Sequence, residues 1–278
     1  CTNCIKRCPT EAIRVREGKA NIIEQRCIDC GECIRVCPNR AKIAVRDSLD
    51  MLDKFKYKVA LPAPAFFGQF GRGIPADRIL AGLLAIGFDA VLEVPVAAEA
   101  VSVATREYLR KVRYEKPLIS QACPAVVGLI QVLFPALIDH IIPIESPMCI
   151  AARMAKEKYS RELGLHPSEI GTFFISPCPA KVTVVRQPVG KAWSFVDGVL
   201  AINDVYAEVM KVLGEVEHEA GLCQATSVGI LWGRAGGEQE AVGYGNAMAV
   251  DGIHNVISVL EAVERGELCD IDFLECQA

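Results

Sequence analysis

Apolar and polar residues alternate along most of the chain in blocks that predict strands followed by helices. Short apolar runs predict strands at 59–61, 90–94, 118–119, 173–175, 196–202, 227–231 and 271–274. Longer segments with helical periodicity and capping signals predict helices at 75–86, 98–112, 126–133, 147–164, 205–213 and 254–265. Strands that alternate with helices predict an α/β domain with a largely parallel sheet.

Two of the predicted strands end near a cysteine that is fixed by proline. One strand runs into Cys178, which stands between two prolines, and another runs toward Cys123, which precedes Pro124. Proline presets its own φ, so the backbone around each thiol is stiff. Because ligands of open α/β sheets gather at the carboxyl ends of the strands, we expect both thiols to face one metal cluster.

The N-terminal stretch carries cysteines at a different spacing. Cys27, Cys30, Cys33 and Cys37 follow the pattern C-x2-C-x2-C-x3-C, with Pro38 next. This is the run of bacterial two-cluster ferredoxins, in which three thiolates bind one [4Fe–4S] cube and the fourth binds the other cube. A zinc site instead uses paired C-x2-C units.

A second run of the same kind is incomplete at its start. Its spacing lacks only the first cysteine, so we expect the sequence to begin inside the motif. Crossed ligation is the rule in two-cluster ferredoxins. It predicts two ligand sets, which are Cys8, Cys27, Cys30 and Cys33 for one cube and Cys1, Cys4 and Cys37 for the other.

The segments around these cysteines predict a small α+β fold. Gly18 and Gly31 are expected at turns, where glycine is favoured. The segments 12–15 and 41–45 are expected to be the small strands that pair and complete the module.

A charged stretch at 46–58 leads out of this module, and we place the boundary near Asp47. The predicted organisation is an α+β, ferredoxin-like two-cluster module at 1–47, followed by the α/β domain at 48–278.

Composition excludes several classes of protein. With 278 residues and 51% apolar content the chain can bury a large core, and its net charge of -4 offers no basic surface for nucleic acid. The longest apolar run, 126–144, is broken by Pro135 and contains Asp139 and His140, so we interpret it as core rather than a membrane span. Thirteen cysteines without a secretory signal indicate a reducing compartment, and we expect a cytoplasmic protein.

At these residues the chain resembles the [FeFe]-hydrogenases over nearly its whole length. The family's Thr-Ser-Cys-Cys-Pro signature is matched by 119–124, and its Met-Pro-Cys-x-x-Lys signature by 176–181. Supporting matches lie at 63–65 and 196–200, and 233–238 corresponds to the family's glycine-rich segment beside the cofactor. The resemblance implies a two-cluster module joined to a domain for the H-cluster, a [4Fe–4S] cube linked to a diiron unit with CO, cyanide and azadithiolate ligands.

The same resemblance assigns roles to individual residues. Cys123 and Cys178 match two of the four thiolates that hold the cube of the H-cluster. Lys181 matches the lysine that pairs with a cyanide ligand, and Ala63 and Pro64 match residues at the cofactor. An ammonium that faces an anionic ligand in a dry pocket makes a charge-assisted hydrogen bond.

The family's third signature, Glu-x-Met-x-Cys-x-x-Gly-Cys, is only begun by Glu275 and the three residues after it. The remaining cysteine ligands would follow Ala278, so we expect the sequence to be truncated at both ends. On this alignment, residue 279 of the intact gene product is a cysteine.

The proton-transfer positions depart from the family. Fast hydrogenases pass protons through a cysteine, two glutamates and a serine, whereas the matching positions here hold Ala122, Thr105, Tyr108 and Ile142. Glu99, Glu107 and His140 are alternative carriers, although each also fits an ordinary surface or helix position. Ser176 and Gln121 replace residues that shape the pocket, which predicts altered redox behaviour of the diiron unit.

These features predict a divergent [FeFe]-hydrogenase of the sensory type. It would convert H₂ and protons slowly, exchange electrons with a ferredoxin or another redox partner through its [4Fe–4S] clusters, and act with a signalling protein or domain. One alternative is a hydrogenase-like iron–sulfur assembly factor without a diiron unit. Another is an electron-transfer subunit of a larger oxidoreductase.

Overall fold

The computed structural model of the protein describes residues 1–112, 116–188, 193–216 and 221–278. Its strands are β1 (Ile13–Arg16), β2 (Lys19–Ile22), β3 (Tyr57–Pro62), β4 (Ala90–Val91), β5 (Leu118–Ile119), β6 (Ile170–Ser176), β7 (Gly198–Ala201), β8 (Ala247–Asp251) and β9 (Phe273–Gln277). Its α-helices are α1 (Asn3–Lys6), α2 (Glu32–Arg35), α3 (Pro64–Phe67), α4 (Ala76–Ala85), α5 (Val94–Lys111), α6 (Pro124–Leu133), α7 (Pro147–Leu163), α8 (Ala180–Arg186), α9 (Ile202–Val212), α10 (Ser227–Leu231), α11 (Gly237–Val242) and α12 (Ile253–Glu264). Short 3₁₀ helices cover Glu24–Arg26, Leu49–Lys54, Pro135–His140 and Pro167–Glu169.

The N-terminal module is an α+β unit built on one hairpin. Strands β1 and β2 pair antiparallel across a turn in which Glu17 and Gly18 both have positive φ, at 51° and 74°. This conformation is typical of the tight turns that match the twist of a hairpin. The predicted strand at 41–45 is wrong, because β1 pairs with the segment that follows it directly, and Ile43 is 85% exposed.

The larger domain has the predicted α/β architecture, but its strands form two parallel sheets instead of one. Strands β4, β3, β6 and β7 lie side by side in that order in the first sheet, and β5, β9 and β8 in the second. Every pair in both sheets is parallel. Hydrophobic periodicity identifies strands but carries no information about which strand pairs with which.

The first sheet is buried on both faces, as parallel sheets require. Along β3, Val59 and Leu61 pack into one apolar cluster and Ala60 into the cluster on the opposite face. Along β6, Phe174 faces the first cluster and Phe173 the second. This alternation is the two-residue period of a strand, and it explains why apolar residues follow one another at 59–61 in β3 and at 173–175 in β6.

The predicted strand at 227–231 is wrong, because this segment forms helix α10. The Thr226 side chain accepts a hydrogen bond from the Val228 N–H at 3.2 Å and caps the helix. Gly229 then allows α10 to approach α5 so closely that a Cβ atom would stand 2.2 Å from the Pro95 carbonyl oxygen. A five-residue apolar run is compatible with either element, and the cap decides it.

Other bounds differ by a few residues. Strand β4 ends at Val91 and α5 begins at Val94, with a proline in its first turn. Strand β9 extends to Gln277, and its neighbour β8 was not predicted. Helix α7 begins after Ser146 with Pro147 as its first residue, and this prediction is confirmed.

In the described part of the chain, the helices are all too short or too polar to cross a membrane.

Gly171 in β6 provides a test of this packing. A Cβ atom at Gly171 would stand 2.5 Å from the Phe55 ring and 2.7 Å from the Phe173 ring. We expect Gly171→Ala to lower the free energy of unfolding by about 1–3 kcal/mol, because overpacking forces both rings to move. Urea denaturation measures the change. Gly214→Ala is the control, since a Cβ atom there meets nothing within 4 Å, and equal stability of the two variants would contradict the packing.

Candidate metal cluster sites

Four cysteines of the N-terminal module surround one cavity. Cys8, Cys27, Cys30 and Cys33 line a space of about 360 Å³, together with apolar side chains that include Ile28. These are the four thiols that the spacing assigned to one cube. Cys1, Cys4 and Cys37 do not line this cavity.

Backbone amides point at the thiols of both cysteine runs. The Ala12 N–H donates to Cys8 Sγ at 3.2 Å, and the Ala41 N–H donates to Cys37 Sγ at 3.3 Å. Each amide follows its cysteine by four residues, so the two halves of the module repeat one local geometry. Amide donors stabilise negative charge on sulfur, which favours the thiolate that binds iron.

Burial governs the titration of the cavity thiols. Desolvation is the main cause that raises the pKa of Cys27 and of Cys30 to about 11. Burial also raises the pKa of Cys33. A metal bound to these sulfurs would displace their protons and supply the charge that burial otherwise disfavours.

This cavity fits a [4Fe–4S] cube better than a single metal ion. Among the described residues, no three His, Cys, Asp or Glu side chains converge closely enough to hold one ion. The thiolates of a cube each bind a different iron and therefore stand further apart. Four thiols around one largely apolar cavity are the donor set that a cube requires.

The second candidate site lies at the ends of two strands, one from each parallel sheet. Strand β6 ends at Ser176, two residues before Cys178, and Cys123 is the N-cap of α6 after β5. The two thiols are close enough for the charge of Cys123 to raise the pKa of Cys178, although burial is the larger cause. The structure thus brings together the two cysteines that the sequence predicted to face one cluster.

Lys181 joins the two cysteine loops. Its Nζ donates to the Ala122 carbonyl at 2.8 Å, and its positive charge opposes the burial that raises the pKa of Cys178. The ammonium has three donors, so two remain for other acceptors. Lys181 therefore connects the Cys178 loop to the Cys123 loop.

Two further predicted residues lie in the same loops. The buried Ser176 hydroxyl accepts a hydrogen bond from the Cys178 N–H at 3.1 Å, which fixes the thiol loop. The side-chain amide of Gln121 is buried, and neither its oxygen nor its nitrogen has a partner among the described residues. Burial of a side-chain amide costs free energy unless the amide makes hydrogen bonds. A polar ligand beside Cys123 would satisfy it, so these residues fit a group such as the H-cluster.

Ala63 and Pro64 occupy the strand end next to β6. The Ala63 N–H donates to the Ile175 carbonyl at 3.1 Å, and Pro64 is the first residue of α3. Gly233, from the glycine-rich segment, packs against this turn, since a Cβ atom there would stand 3.2 Å from the Pro64 carbonyl carbon. The sequence matches at 63–65 and 233–238 are therefore adjacent in space.

The glycine-rich segment also carries a residue that the sequence did not single out. Glu238, in α11, is buried, and both of its oxygens lie 2.7 Å from the Ser120 hydroxyl. Ser120 in turn accepts from the Ala122 N–H at 3.1 Å. The available signal was a glutamate that directly follows two glycines, but its partner Ser120 lies far away in the sequence.

Glu275 stands next to this pair and is held differently. Its two oxygens accept from the backbone N–H groups of Gly236 and Gln239, at 2.9 and 2.8 Å. Burial raises the pKa of Glu275, and these amides oppose the rise. For Glu238, burial, reinforced by the charge of Glu275, raises the pKa to about 8.

The other predicted proton carriers lie elsewhere. Glu99 accepts from the Thr226 N–H at 3.0 Å, Glu107 pairs with basic residues of its own helix, and His140 Nδ1 lies 2.8 Å from the Pro117 carbonyl oxygen. At the positions of the family relay, Ile142 is buried and the Thr105 hydroxyl is buried without a partner among the described residues.

The two candidate sites share walls. Pro179, Val182 and Thr183, which follow Cys178, line the cavity of the N-terminal module. The Thr183 hydroxyl donates to the Asp29 carboxylate at 2.7 Å. Cys30 and Cys123 pack against one apolar cluster. The elements that carry the second site therefore contact the first directly.

Comparison with known proteins places this geometry in a family. The model for the iron-only hydrogenase large subunit, C-terminal domain, matches residues 56–248, and the model for a 4Fe-4S dicluster domain matches residues 1–42. The NADP-reducing hydrogenase subunit HndD of Solidesulfovibrio fructosivorans is 23% identical over 60% of this chain and 32% of its own length. The cytosolic Fe-S cluster assembly factor NAR1 of Yarrowia lipolytica is 24% identical over 55% of this chain and 34% of its own length.

The chain thus spans about a third of the length of these curated relatives. A variant of the [FeFe]-hydrogenase HydA1 from Chlamydomonas reinhardtii has the same fold, with a TM-score of 0.62 at 16% identity over 83% of this chain and 80% of that chain. Because its first family model covers more than half of the sequence, the protein belongs to the family of the iron-only hydrogenase large subunit, C-terminal domain.

Proposed function

We propose that this hydrogenase-like iron–sulfur protein binds an H-cluster and reacts with H₂ slowly, as a sensor. The observation that carries the proposal is the shared wall between the two thiol sites, since α8 follows Cys178 and also lines the cavity of Cys8, Cys27, Cys30 and Cys33. In this proposal the module is 1–47 and the H-cluster domain is 48–278.

Cys123 and Cys178 are two of the thiolates that hold the cube of the H-cluster in this proposal. When bound, the diiron unit supplies the centre at which H₂ is split or formed. Lys181 keeps two ammonium donors for a cyanide ligand while its third holds the Ala122 carbonyl. The unpartnered Gln121 amide offers a further hydrogen bond to the same ligands.

Electrons leave and enter through the N-terminal module. Cys30 and Cys123 pack against one apolar cluster, so protein contacts would connect the cube held by Cys30 with the cube held by Cys123. A ferredoxin or another small redox protein is the proposed partner at the module's outer face. A signalling protein or domain would read the redox state.

Slow turnover follows from the residues at the proton-transfer positions. Thr105 and Ile142 are buried at positions where an acid or base would be needed, and Ala122 has no ionisable side chain. General acid–base transfer accelerates a reaction by about 10²–10⁴-fold, so its loss lowers rate while leaving binding intact. A sensor depends on the difference in stability between its states more than on rate.

A second function is favoured by the similarity to NAR1. An assembly factor would keep both thiol sites and use cubes alone, without a diiron unit. The absence of an ionisable group at Ala122 suits that function. Lys181 and Gln121 argue against it, since an ammonium with spare donors and an unpartnered amide suit anionic ligands beside Cys123.

The four-thiol cavity makes a prediction about iron content. We expect Cys30→Ser to lower iron by about four atoms per chain, because one cube loses a buried ligand. Iron analysis and electron paramagnetic resonance of the anaerobically reconstituted chain measure this. Cys269→Ser is the control, since Cys269 is exposed and its thiol lies against the Gly266 carbonyl. Equal iron loss in both variants would contradict the assignment.

Infrared spectroscopy tests the function itself. The protein is reconstituted with iron, sulfide and a synthetic diiron precursor, and spectra are taken before and after exposure to H₂. We expect sharp CO and cyanide bands that shift under H₂. Bands of free precursor alone, with intact cube signals, would overturn the proposal in favour of the assembly factor.

Lys181 is tested in the same assay. We expect Lys181→Met to reduce the retained diiron unit about tenfold, because a hydrogen bond from a charged donor contributes about 1.5–3 kcal/mol. The matched control is Lys158→Met, whose ammonium lies over the Tyr159 ring 5.0 Å from its centroid. If Lys181→Met retains as much diiron unit as the control, Lys181 has no role in holding it.

A further inference from the structure

Two acidic side chains line the cavity of the N-terminal module and have no place in the proposed ligand set. Asp29 directly precedes Cys30, and Glu32 directly precedes Cys33. The first cysteine run has Asn3 at the position that corresponds to Glu32, so this cysteine spacing does not itself require a carboxyl group there. Negative charge beside a cluster that is held by thiolates costs free energy, and its presence needs a physical explanation.

We propose that Asp29 and Glu32 lower the reduction potential of the cube in this cavity, and that Thr183 of the larger domain positions Asp29 for this effect. The inference rests on the proposed function, which places a [4Fe–4S] cube at these thiols. Reduction adds one electron, and therefore one negative charge, to this cavity cube. Fixed negative charge nearby raises the free energy of the reduced cube relative to the oxidised cube, so the cube accepts the electron less readily.

Asp29 is held close to a ligand sulfur. Its Oδ1 lies 3.5 Å from Cys27 Sγ, and its Oδ2 accepts a hydrogen bond from the Thr183 hydroxyl at 2.7 Å. When iron replaces the thiol proton, Cys27 has no hydrogen to donate, and the carboxylate faces an anionic sulfur. The hydrogen bond from Thr183 then holds the carboxylate beside that sulfur. Asp29 has a positive φ of 53°, a conformation that Asp and Asn adopt more readily than most residues.

Glu32 is held by basic groups from three helices. The Arg35 guanidinium donates to both of its oxygens, at 2.8 and 2.9 Å. Arg7 Nε and His254 Nε2 lie 3.4 and 3.8 Å from Glu32 Oε1. Burial favours the neutral acid, but the hydrogen bonds and charge of Arg35, with the charges of the other two groups, lower the pKa of Glu32. Glu32 is therefore a carboxylate at neutral pH.

The arginines beside Glu32 do not cancel its effect on the cube. The side chains of Arg7 and Arg35 are 53% and 69% exposed, whereas that of Glu32 is 5% exposed. Water and salt screen exposed charges much more than buried charges. The carboxylate therefore acts on the cavity cube more strongly than the guanidinium groups do.

Both carboxylates act on ligand sulfurs. Burial is the main cause that raises the pKa of Cys27 and of Cys30 to about 11. The charge of Asp29 adds to the rise at Cys27, and the charge of Glu32 adds to the rise at Cys30. The backbone N–H of each acidic residue opposes it. A charge that disfavours the thiolate also disfavours an added electron on the cube that the thiolate binds.

A redox titration followed by electron paramagnetic resonance measures the effect. The full chain is reconstituted anaerobically with iron and sulfide, and the cavity cube is the signal that disappears in Cys30→Ser. We expect Asp29→Asn and Glu32→Gln each to raise the midpoint potential of this signal, because each removes one negative charge. Glu17→Gln is the control, since it removes an exposed carboxyl group at the hairpin turn, and it should leave the midpoint unchanged.

Two further variants separate charge from structure. Arg35→Gln breaks the same ion pair as Glu32→Gln but removes a positive charge, so we expect it to lower the midpoint potential. A merely structural role of the ion pair would shift the midpoint in the same direction in both variants, which would overturn the effect of charge. Glu32→Asp keeps the charge and should have a midpoint closer to that of the wild type than Glu32→Gln has.

Thr183→Val tests the positioning of Asp29. It removes the hydroxyl that donates to the carboxylate and leaves the side-chain volume almost unchanged. We expect it to raise the midpoint potential by no more than Asp29→Asn does. The double variant should have the midpoint of Asp29→Asn alone, because Thr183 acts through Asp29. A wild-type midpoint in Thr183→Val would overturn the positioning role.

The failure of this inference is distinguishable from the failure of the proposed function. If Asp29→Asn and Glu32→Gln both have the midpoint of the Glu17→Gln control, the inference is wrong and the cube assignment stands. A residue whose variant alone keeps the control midpoint does not lower the potential. If the wild-type chain shows no cube signal that Cys30→Ser removes, the cube assignment is wrong, and this inference is wrong with it.

Discussion

The rigid turns at the carboxyl ends of parallel strands are the constraint on which the rest of this structure depends. Cys178 stands between two prolines directly after β6, every residue of which is buried. Cys123 caps α6, whose first residue is Pro124. Because proline fixes φ and the strand fixes the origin of the turn, each thiol takes its position from the core of the sheet.

The same turns determine where the N-terminal module sits. The segment of the module that contains Gly31 contacts the beginning of α8, since a Cβ atom on Gly31 would lie 3.6 Å from the Pro179 side chain. It also contacts α6, where Gly128 lies so close to Ile28 that a Cβ atom would stand 3.2 Å from that side chain. Small residues allow backbones to approach closely. The relative position of the two cluster sites therefore depends on the helices that begin at the thiols.

The parts of this site that the sequence predicted are those encoded by local spacing. The cysteine spacing identified the four thiols around the module cavity, and Cys178 with Lys181 three residues later needed only one turn of chain. The pair of Glu238 and Ser120 was not predictable in this way, because 118 residues separate them and only the fold of α11 against β9 brings them together.

The secondary-structure predictions that were wrong also depend on contacts between distant parts of the chain. The segment of α10 is apolar enough for a strand, and its helical state depends on the Thr226 cap and on packing against Pro95. Likewise the division of the strands into two sheets depends on pairing, which no local pattern records. Local signals decide what an element is only when tertiary packing agrees with them.

Charge balance connects the buried groups of the second site. An anionic metal centre beside Glu275 would leave two negative charges in a dry pocket, with Lys181 as the opposing cation. A neutral Glu238 avoids a third negative charge, and burial is the main cause that raises its pKa. The charge of Glu238 is therefore coupled to the charges of Glu275 and Lys181.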